Sequence, residues 1–467
     1  MKHQALLSFV GALAIPFLAS CGGVDGKITL DIGFWPESTE TQDLAMYRQW
    51  KERFETAYPQ YELVADPYTY NTTTVGSKFL TGSLPNVFQT WFTEPEKLMK
   101  NKYIRGIKSF LDQKGWSDKM DDEMKASLTF NDEIYGIPRD GYGLGLLLNI
   151  RCLGENGILP QNSNGKYALY KSDGTPAYPT SFEEIYQDAL KIQENDETKG
   201  ILICSANKNG GWQLSNMAWN FGGALESKNA SGKWEAHLDC EANQNALKWI
   251  QKMKSEDLLL NSTTVYYDDW YSSIGSKVAM AFVGSDVLQL ASVNGGVSMG
   301  DLAFVPMPTG DGSHHYSLYG GTPYVFSADT SDDQVEGILK FFEYIGRGPD
   351  ITDISKEAMV EGYKTAAQKN QPILPKIKPW KNEEFLTYAN ALEKEYISVD
   401  MTYYNDFFDH IAENKHSEEP YCTQELYEYL DTAIQNVLQY SDTANVASLL
   451  TTANGKLQTL LDENVNQ

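Results

Sequence analysis

One segment of the chain carries the residue pattern of a catalytic serine. Gly296-Val297-Ser298-Met299-Gly300 matches the Gly-x-Ser-x-Gly nucleophile elbow, with Asp301 and His314 downstream. In an elbow the serine lies on a sharp turn that follows a strand and precedes a helix. Here residues 286–293 have a helical pattern and residues 302–305 are typical of a strand, so the order is reversed. We interpret the segment as a glycine-rich turn and expect no catalytic residues.

Three other kinds of segment could hold a metal or a cofactor, but their spacing or position does not fit such a site. His314 and His315 are adjacent in a turn, where neighbouring side chains do not converge readily on one ion. Gly141-x-Gly143-x-Gly145 lacks the spacing of a dinucleotide-binding loop. The acidic runs at 121–123 and 268–269 are typical of solvated faces. We predict no metal site and no cofactor.

Composition excludes several classes of function and leaves one feature to explain. The 467 residues include 38 Lys and Arg against 63 Asp and Glu, a formal net charge of −25. This charge disfavours a nucleic-acid partner. Hydrophobic residues make up 42%, which is typical of a folded globular protein. The aromatic content is high, with 10 Trp, 28 Tyr and 19 Phe, which is more than a core alone needs.

The first residues have the features of an export signal. Lys2 precedes the apolar stretch 5–18, and Leu18-Ala19-Ser20-Cys21 resembles the bacterial lipobox. We therefore expect a signal peptide over 1–20, a diacylglycerol or palmitate-type lipid on Cys21 and a tether over 21–26. No later segment approaches the length of a membrane span. The folded part is expected outside the cytoplasm, anchored by lipid in the bacterial cell envelope.

Strand and helix patterns alternate along the rest of the chain. Residues 28–34 alternate as a strand, and apolar residues then recur at helical spacing from Leu44 to Ala57. Ser181 and Ser331 each begin a capping box, which predicts helices ending near Gln193 and Ile345. The alternation favours an α/β fold with mainly parallel sheets flanked by helices. Residues 160–180 are predicted to form a polar hairpin insertion.

Several short motifs occur in the order found in one family. They are Phe54-x4-Pro59-x-Tyr61, Gly82-Ser83-Leu84-Pro85-Asn86-Val87, Ile134-Tyr135-Gly136-Ile137-Pro138, Gly145-Leu146-Leu147-Leu148-Asn149, Ser181-Phe182-Glu183-Glu184, Ile274-Gly275-Ser276-Lys277-Val278-Ala279-Met280 and Gly320-Gly321. In this order the chain resembles the extracellular solute-binding proteins of ABC importers, in the group that includes the maltose-binding protein. Tyr58 and Asn86 depart from the usual Asn and Asp of that group, and Asp286 stands where many relatives have Trp.

The resemblance implies a periplasmic-binding-protein-like fold of two α/β lobes joined by three hinge crossings. We place the crossings near 140–148, 280–285 and 320–326. The amino-terminal lobe is then 27–140 plus 285–322, and the carboxyl-terminal lobe is 141–284 plus 323–467. Ligand is expected in the cleft between the lobes, which closes by hinge motion.

A set of candidate ligand contacts follows from position and from the resemblance. The set is Trp35, Glu37, Trp91, Arg139, Asp140, Tyr142, Trp212, Asn216, Asp286, Gly321, Tyr324, Tyr403 and Tyr404. The first six are favoured because they lie in loops that follow strands. The resemblance implies the next five through its family segments and crossings, and the last two stand where maltose-type relatives have late aromatic residues. Trp50 and Trp249 lie on helical patterns and are expected in the cores.

We therefore expect a monomeric, non-enzymatic substrate-binding subunit that captures a carbohydrate, in particular an oligosaccharide, and delivers it to a membrane permease. Three alternatives stay open: a binding protein for a non-sugar solute such as a peptide or polyamine, a secreted glycan-active enzyme, and a surface adhesion or scaffold protein. New reducing ends after incubation with glycans would indicate the enzyme. A scaffold would bind a macromolecule without closing.

Overall fold

The computed structural model describes residues 26–195, 197–260 and 262–467. The predicted signal peptide, Cys21 and residues 21–25 of the tether lie outside the described residues. None of the helices within these ranges combines the length and the apolar character that a membrane span requires.

The described residues alternate between strands and helices along most of the chain. The strands are β1 (Ile28–Gly33), β2 (Tyr61–Ala65), β3 (Val87–Gln89), β4 (Thr129–Phe130), β5 (Glu133–Ile134), β6 (Ile137–Asn149), β7 (Lys199–Leu202), β8 (Glu226–Lys228), β9 (Trp234–Ala236), β10 (Val278–Gly284), β11 (Leu302–Val305), β12 (Ser317–Phe326) and β13 (Lys415–Ser417). The helices are α1 (Thr41–Ala57), α2 (Val75–Leu80), α3 (Pro95–Lys100), α4 (Lys108–Lys114), α5 (Asp122–Ala126), α6 (Ile150–Glu155), α7 (Phe182–Gln193), α8 (Asn209–Asn220), α9 (Glu241–Ser255), α10 (Asp269–Ser273), α11 (Leu290–Val293), α12 (Asp332–Tyr344), α13 (Asp353–Gln368), α14 (Glu383–Tyr396), α15 (Asn405–Asn414), α16 (Thr423–Gln439) and α17 (Val446–Asn464).

Local sequence signals fix the ends of two helices. Ser181 accepts the backbone N–H of Glu184, whose side chain bonds back to the cap, so α7 begins at the predicted capping box. Ser331 and Gln334 form the same reciprocal pair at the start of α12. Past the end of α12, Gly346 adopts a left-handed conformation with a φ of 68°, which favours glycine and ends the helix.

Two strands run through the middle of the sheet and connect its halves. The strand order is β2-β1-β3-β12-β6-β10-β7, with β11 also on β6 and β13 on β12. The pairs β1–β2, β1–β3 and β10–β7 are parallel, whereas every partner of β6 is antiparallel. The 13 residues of β6 span about 40 Å at roughly 3.3 Å per residue, long enough to serve both halves.

The apolar side chains divide into two large cores, which define the two lobes. The amino core contains Leu30, Ile137, Tyr324 and Phe341, together with Trp50. A smaller cluster that includes Phe88 and Val325 packs beside it. We call the part of the chain around these clusters the amino lobe.

The carboxyl core contains Leu144, Phe182, Phe282, Phe304 and Leu426, and it defines the carboxyl lobe. Trp249 is buried in this core, as its helical pattern predicts. The helices that flank the strands supply most of the remaining side chains of both cores, which confirms the predicted α/β class.

The chain crosses between the cores at β6, at β12 and between Ala389 and Tyr403. Between α13 and α14, Leu374 also reaches into the carboxyl core, although the chain on either side of it packs in the amino core. The first and last predicted crossings fall on β6 and β12. The predicted crossing at 280–285 does not, because all seven residues of β10 are buried in the carboxyl lobe, where β10 pairs with β6 and β7.

The observed cores therefore differ from the predicted division at 285–322 and in much of 323–467. Leu288, Leu302 and Met307 pack in the carboxyl core, whereas Val335 and Phe385 pack in the amino core. The physical reason is that α12, α13 and α14 return to the amino lobe before the chain crosses for the last time.

Candidate functional site

A cavity of about 680 Å³ lies between the two lobes, next to both crossing strands. Most of its wall comes from the amino lobe: the residues before α1, Gln89 at the end of β3, a face of α13 and the segment 371–380. The carboxyl lobe contributes Ser285, Asp286 and Gln289 from the loop that follows β10. We call this space the cleft cavity. Its volume is in the range of cavities that hold small organic ligands.

Arg139 and Asp140 form a polar platform where β6 passes the cleft cavity. Arg139 donates from Nε and Nη2 to Oδ2 of Asp140 at 2.8 and 2.7 Å, and from Nη1 to Oε1 of Gln89 at 3.0 Å. Among the described residues no hydrogen bond ends on Oδ1 of Asp140, so this oxygen can accept a ligand hydroxyl. The two predicted residues therefore lie together at the cavity, oriented by each other and by Gln89.

Asp286 faces this platform from the carboxyl lobe. Its side chain is accessible to solvent in the cleft although the walls surround it. This enclosure and the nearby Asp140 carboxylate raise the pKa of Asp286 to about 7, and the Arg139 and Lys376 cations oppose the shift. Asp286 can therefore either accept or donate a hydrogen bond near neutral pH.

Aromatic rings form the wall of the carboxyl lobe beside Asp286. The ring of Trp212 lies 6.0 Å from that of Tyr142 and 5.3 Å from that of Tyr267, both nearly edge to face. The Tyr267 hydroxyl accepts the backbone N–H of Gly284 at 2.8 Å, which holds this ring next to the end of β10. The predicted residues Tyr142 and Trp212 thus lie together, outside the lining of the cleft cavity. Tyr142 is half-buried, whereas Trp212 is only 9% exposed and packs in the carboxyl core.

The start of α8 positions Trp212. Asp431 accepts the backbone N–H of Lys208 at 2.6 Å and that of Gly211 at 2.7 Å. A carboxylate at this place also complements the positive end of the helix dipole. Gly211 lies so close to the backbone of Tyr427 that a larger residue would push α8 away from α16.

Three predicted contacts follow strands of the amino lobe. Trp35 lines the cleft cavity but is only 6% exposed, with its ring 5.2 Å from that of Tyr47. Glu37 lines the cavity from an exposed position at its mouth. Trp91 is 46% exposed and packs edge-on against Tyr70 at 5.4 Å, outside the cavity lining.

Three other predicted contacts are packing residues in this structure. Asn216, Tyr403 and Tyr404 are buried in the carboxyl lobe. Each donates a side-chain hydrogen bond to a main-chain carbonyl, at 2.7, 2.9 and 3.0 Å respectively. The two tyrosine hydroxyls are thus satisfied within the protein, whereas the buried Oδ1 of Asn216 has no hydrogen-bond partner among the described residues. None of the three residues lines the cleft cavity.

The last two predicted contacts lie on β12. Tyr324 is buried in the amino core, with its ring 4.8 Å from that of Phe34. Gly321 is opposite Gly141 on β6, and a Cβ atom there would lie 2.5 Å from the ring of Phe92. Gly321 therefore allows close approach of the two crossing strands and does not line the cavity.

The structure also brings forward residues that the sequence patterns did not single out. Arg347 and Lys376 line the cleft cavity. Glu418 accepts the hydroxyl of Tyr427 at 2.7 Å near Tyr142, and burial raises its pKa to about 7. Arg347 follows the glycine that ends α12, a signal that marks the helix end but not the direction of the next side chain.

Two lobes that share a cleft and are joined by crossing strands define a two-domain ligand-binding protein. The chain belongs to the bacterial extracellular solute-binding protein family, whose sequence profile matches residues 37–347. No curated protein matches the chain.

Solved structures of the same fold come from several bacteria. An ABC transporter solute-binding protein from Thermotoga lettingae bound with α-D-tagatose has a TM-score of 0.65 and 16% identity, covering 93% of this chain and 99% of that one. UgpB from Mycobacterium tuberculosis in complex with glycerophosphocholine has a TM-score of 0.67 and 15% identity, covering 94% and 99%. The GacH receptor of Streptomyces glaucescens, solved unliganded and with acarbose, has a TM-score of 0.64 and 15% identity, covering 94% and 98%. These similarities establish the fold.

Proposed function

We propose that this protein is the substrate-binding subunit of an ABC importer and that it captures a carbohydrate, in particular an oligosaccharide. The observation that carries the proposal is the cleft cavity of about 680 Å³, which both lobes line. Arg139, Asp140 and Asp286 offer hydrogen-bonding groups for hydroxyls there. The half-buried Tyr142 offers apolar ring surface near Asp286, as the faces of a sugar ring require, and the buried Trp212 packs against that ring.

Capture is proposed to work by hinge closure. A ligand that contacts Asp140 from the amino lobe and Asp286 from the carboxyl lobe favours the arrangement in which both are close. The lobes can rotate about β6, β12 and the segment between Ala389 and Tyr403, where the chain passes from one core to the other. Such rotation changes the cleft while leaving each core intact.

The remaining parts of the proposal concern location and partners. The export signal and the lipobox at Cys21 support a lipid-anchored protein in the bacterial cell envelope, with its folded part outside the cytoplasm. The family supports a membrane permease as the partner that receives the ligand. We expect a monomer that releases its ligand unchanged, and no partnership with nucleic acid.

A calorimetric titration with a panel of neutral and acidic oligosaccharides tests the proposal. We expect saturable binding of one ligand per chain, with no new reducing ends after prolonged incubation. Asp286→Asn should weaken binding, because the uncharged side chain loses an acceptor in the cleft. Asp442→Asn is the matched control, since Asp442 is exposed and outside the cavity lining. Binding of peptides or polyamines but of no glycan would overturn the carbohydrate assignment, and released sugar would indicate an enzyme.

A further inference from the structure

Most cations that line the cleft cavity are neutralised by a carboxylate of the protein. Besides the pair of Arg139 with Asp140, Lys369 lies 2.7 Å from a carboxylate oxygen of Asp43. Lys378 pairs with Glu393, also at 2.7 Å. These pairs balance their charges within the protein and leave nothing for a charged ligand to compensate.

Two cavity-lining cations have no such partner. Among the described residues, no carboxylate lies within ion-pair distance of the Arg347 guanidinium or of the Lys376 ammonium group. Glu393 illustrates why Lys376 stays unpaired: its Oε1 accepts the backbone N–H of Lys376 and the ammonium of Lys378. Glu393 is thus already used by a neighbouring lysine. Asp140 acts on both cations from beyond ion-pair distance, and its carboxylate is already paired with Arg139.

Both cations are held in place by their main chain. The Arg347 N–H donates to the carbonyl of Phe342 at 2.8 Å, and its own carbonyl accepts the indole N–H of Trp380 at 3.1 Å. The Lys376 main chain is held by the Glu393 carboxylate at 2.9 Å. Residues of α12 and α14 thus hold the main chain at Arg347 and Lys376, and both residues line the cavity.

The charge of Arg347 disfavours the charge of Lys376 across the cleft cavity, where Arg347 is half-buried and Lys376 is exposed. Enclosure by the cleft walls and the charge of Arg347 both lower the pKa of Lys376, against the opposing effect of Asp140. Two cations that line the same cavity repel each other, and an opposite charge that joins them relieves the repulsion. The arrangement therefore leaves a place for one anionic group.

We infer that the ligand carries an anionic group, a carboxylate, sulfate or phosphate, which binds between Arg347 and Lys376. This inference rests on the proposed function, and together they identify the ligand as an acidic carbohydrate. Arg and Lys are suited to this role, because a guanidinium binds two oxygens of an oxyanion at once and an ammonium adds a point charge.

The long-range field of the protein opposes such a ligand, so recognition must be local. The formal net charge is −25, and the exposed Glu37 and Glu40 lie at the mouth of the cavity. An anion is therefore not attracted from a distance but is stabilised once it reaches Arg347 and Lys376. This predicts slow association and an affinity that depends on the two residues.

Ligand pairs that differ only in charge provide the test. We would titrate trigalacturonate against its fully methyl-esterified form, and glucose 6-phosphate and glucose 6-sulfate against glucose, by calorimetry. We expect an acidic member to bind more tightly than its neutral counterpart. Arg347→Met and Lys376→Met should each weaken that binding by about 10- to 100-fold, the effect of losing a charge-assisted hydrogen bond.

Arg48→Gln is the matched control, because it removes one exposed positive charge outside the cavity and should leave the affinity unchanged. If Arg347→Met fails to fold, Lys376→Met still tests the site. Circular dichroism shows whether each variant is folded. Equal affinity for neutral and acidic partners, or variants that bind the acidic probe like the native protein, would overturn the inference while leaving sugar binding intact. Binding of inorganic phosphate or sulfate alone, without any preference for a sugar, would support the anion site and contradict the carbohydrate assignment.

Discussion

Two glycine-to-alanine substitutions should change the stability of the protein in opposite directions. The first is at Gly321, where the crossing strands β6 and β12 approach each other closely. At Gly321 a Cβ atom would lie 2.5 Å from the Phe92 ring, 3.1 Å from Cα of Gly141 and closer still to the carbonyl oxygen of Asp140. Two of these three neighbours are backbone atoms of β6, so the clash is relieved only by separating the strands. Inserting a methyl group into such a packed site costs about 1–3 kcal/mol.

Gly455 is the matched control within the same chain. It lies inside α17, and a Cβ atom there would meet nothing within 4 Å. Gly455→Ala should therefore stabilise the protein by about 0.5–1 kcal/mol, since alanine loses less conformational freedom in a helix.

Urea denaturation followed by circular dichroism measures both effects. We expect the midpoint to fall for Gly321→Ala and to rise for Gly455→Ala. Separation of the strands would displace Asp140 on β6, so Gly321→Ala should also weaken ligand binding. A Gly321→Ala protein as stable as the native one, with unchanged affinity, would refute the close packing of the crossing strands.

Three further predictions concern closure, packing and pH. Lys97 on α3 pairs with Glu425 on α16 at 2.6 Å, so this ion pair joins the two lobes. The pair is partly exposed and worth about 0.2–1 kcal/mol. Because Lys97→Met removes a contact that favours closure, it should raise the dissociation constant measured by calorimetry by no more than about fivefold. Tyr404→Phe should lower the free energy of unfolding by about 1 kcal/mol by removing a buried hydrogen-bond donor; a changed dissociation constant in that variant would show that Tyr404 contacts ligand. Burial and Glu419 raise the pKa of Glu226 from 4.5 to about 9. The neutral form is thus favoured in the native state, and the stabilisation from this group is complete below pH 4.5 and is lost as the pH rises to 9. Thermal melts from pH 5 to 9 should show a smaller loss of stability for Glu226→Gln than for the native protein, and parallel curves would contradict the assignment.

Local signals in the sequence predicted local structure well. The capping boxes at Ser181 and Ser331 place the starts of α7 and α12, because the bonds involved join residues three apart. The strand over 28–34 and the helix that ends at Ala57 follow from hydrophobic period alone.

Features that depend on distant segments were predicted less well. The uninterrupted apolar sequence of β10 is compatible both with a strand that crosses between the lobes and with a strand inside one lobe. Only its pairing with β6 and β7 shows that it lies inside the carboxyl lobe. The burial of Tyr403 and Tyr404 depends on the packing of the last crossing against the carboxyl core. A rule based on residue type alone favours aromatic residues for a sugar site wherever they fall.

The candidate site was predicted in part. Arg139 and Asp140 were identified because they lie at a crossing after a strand, and Asp286 because it stands where many relatives have Trp. All three line the cleft cavity. Arg347 and Lys376 lie on connections without periodicity. Their significance comes from the absence of a partner carboxylate among the described residues, which only a three-dimensional structure reveals.

The most direct test of the account is a calorimetric titration of the mature protein with matched acidic and neutral oligosaccharides. We expect saturable binding of one acidic oligosaccharide per chain, weaker binding of its neutral form and an unchanged sugar at the end of the experiment. The absence of heat from every glycan in the panel, or the release of new reducing ends, would contradict it.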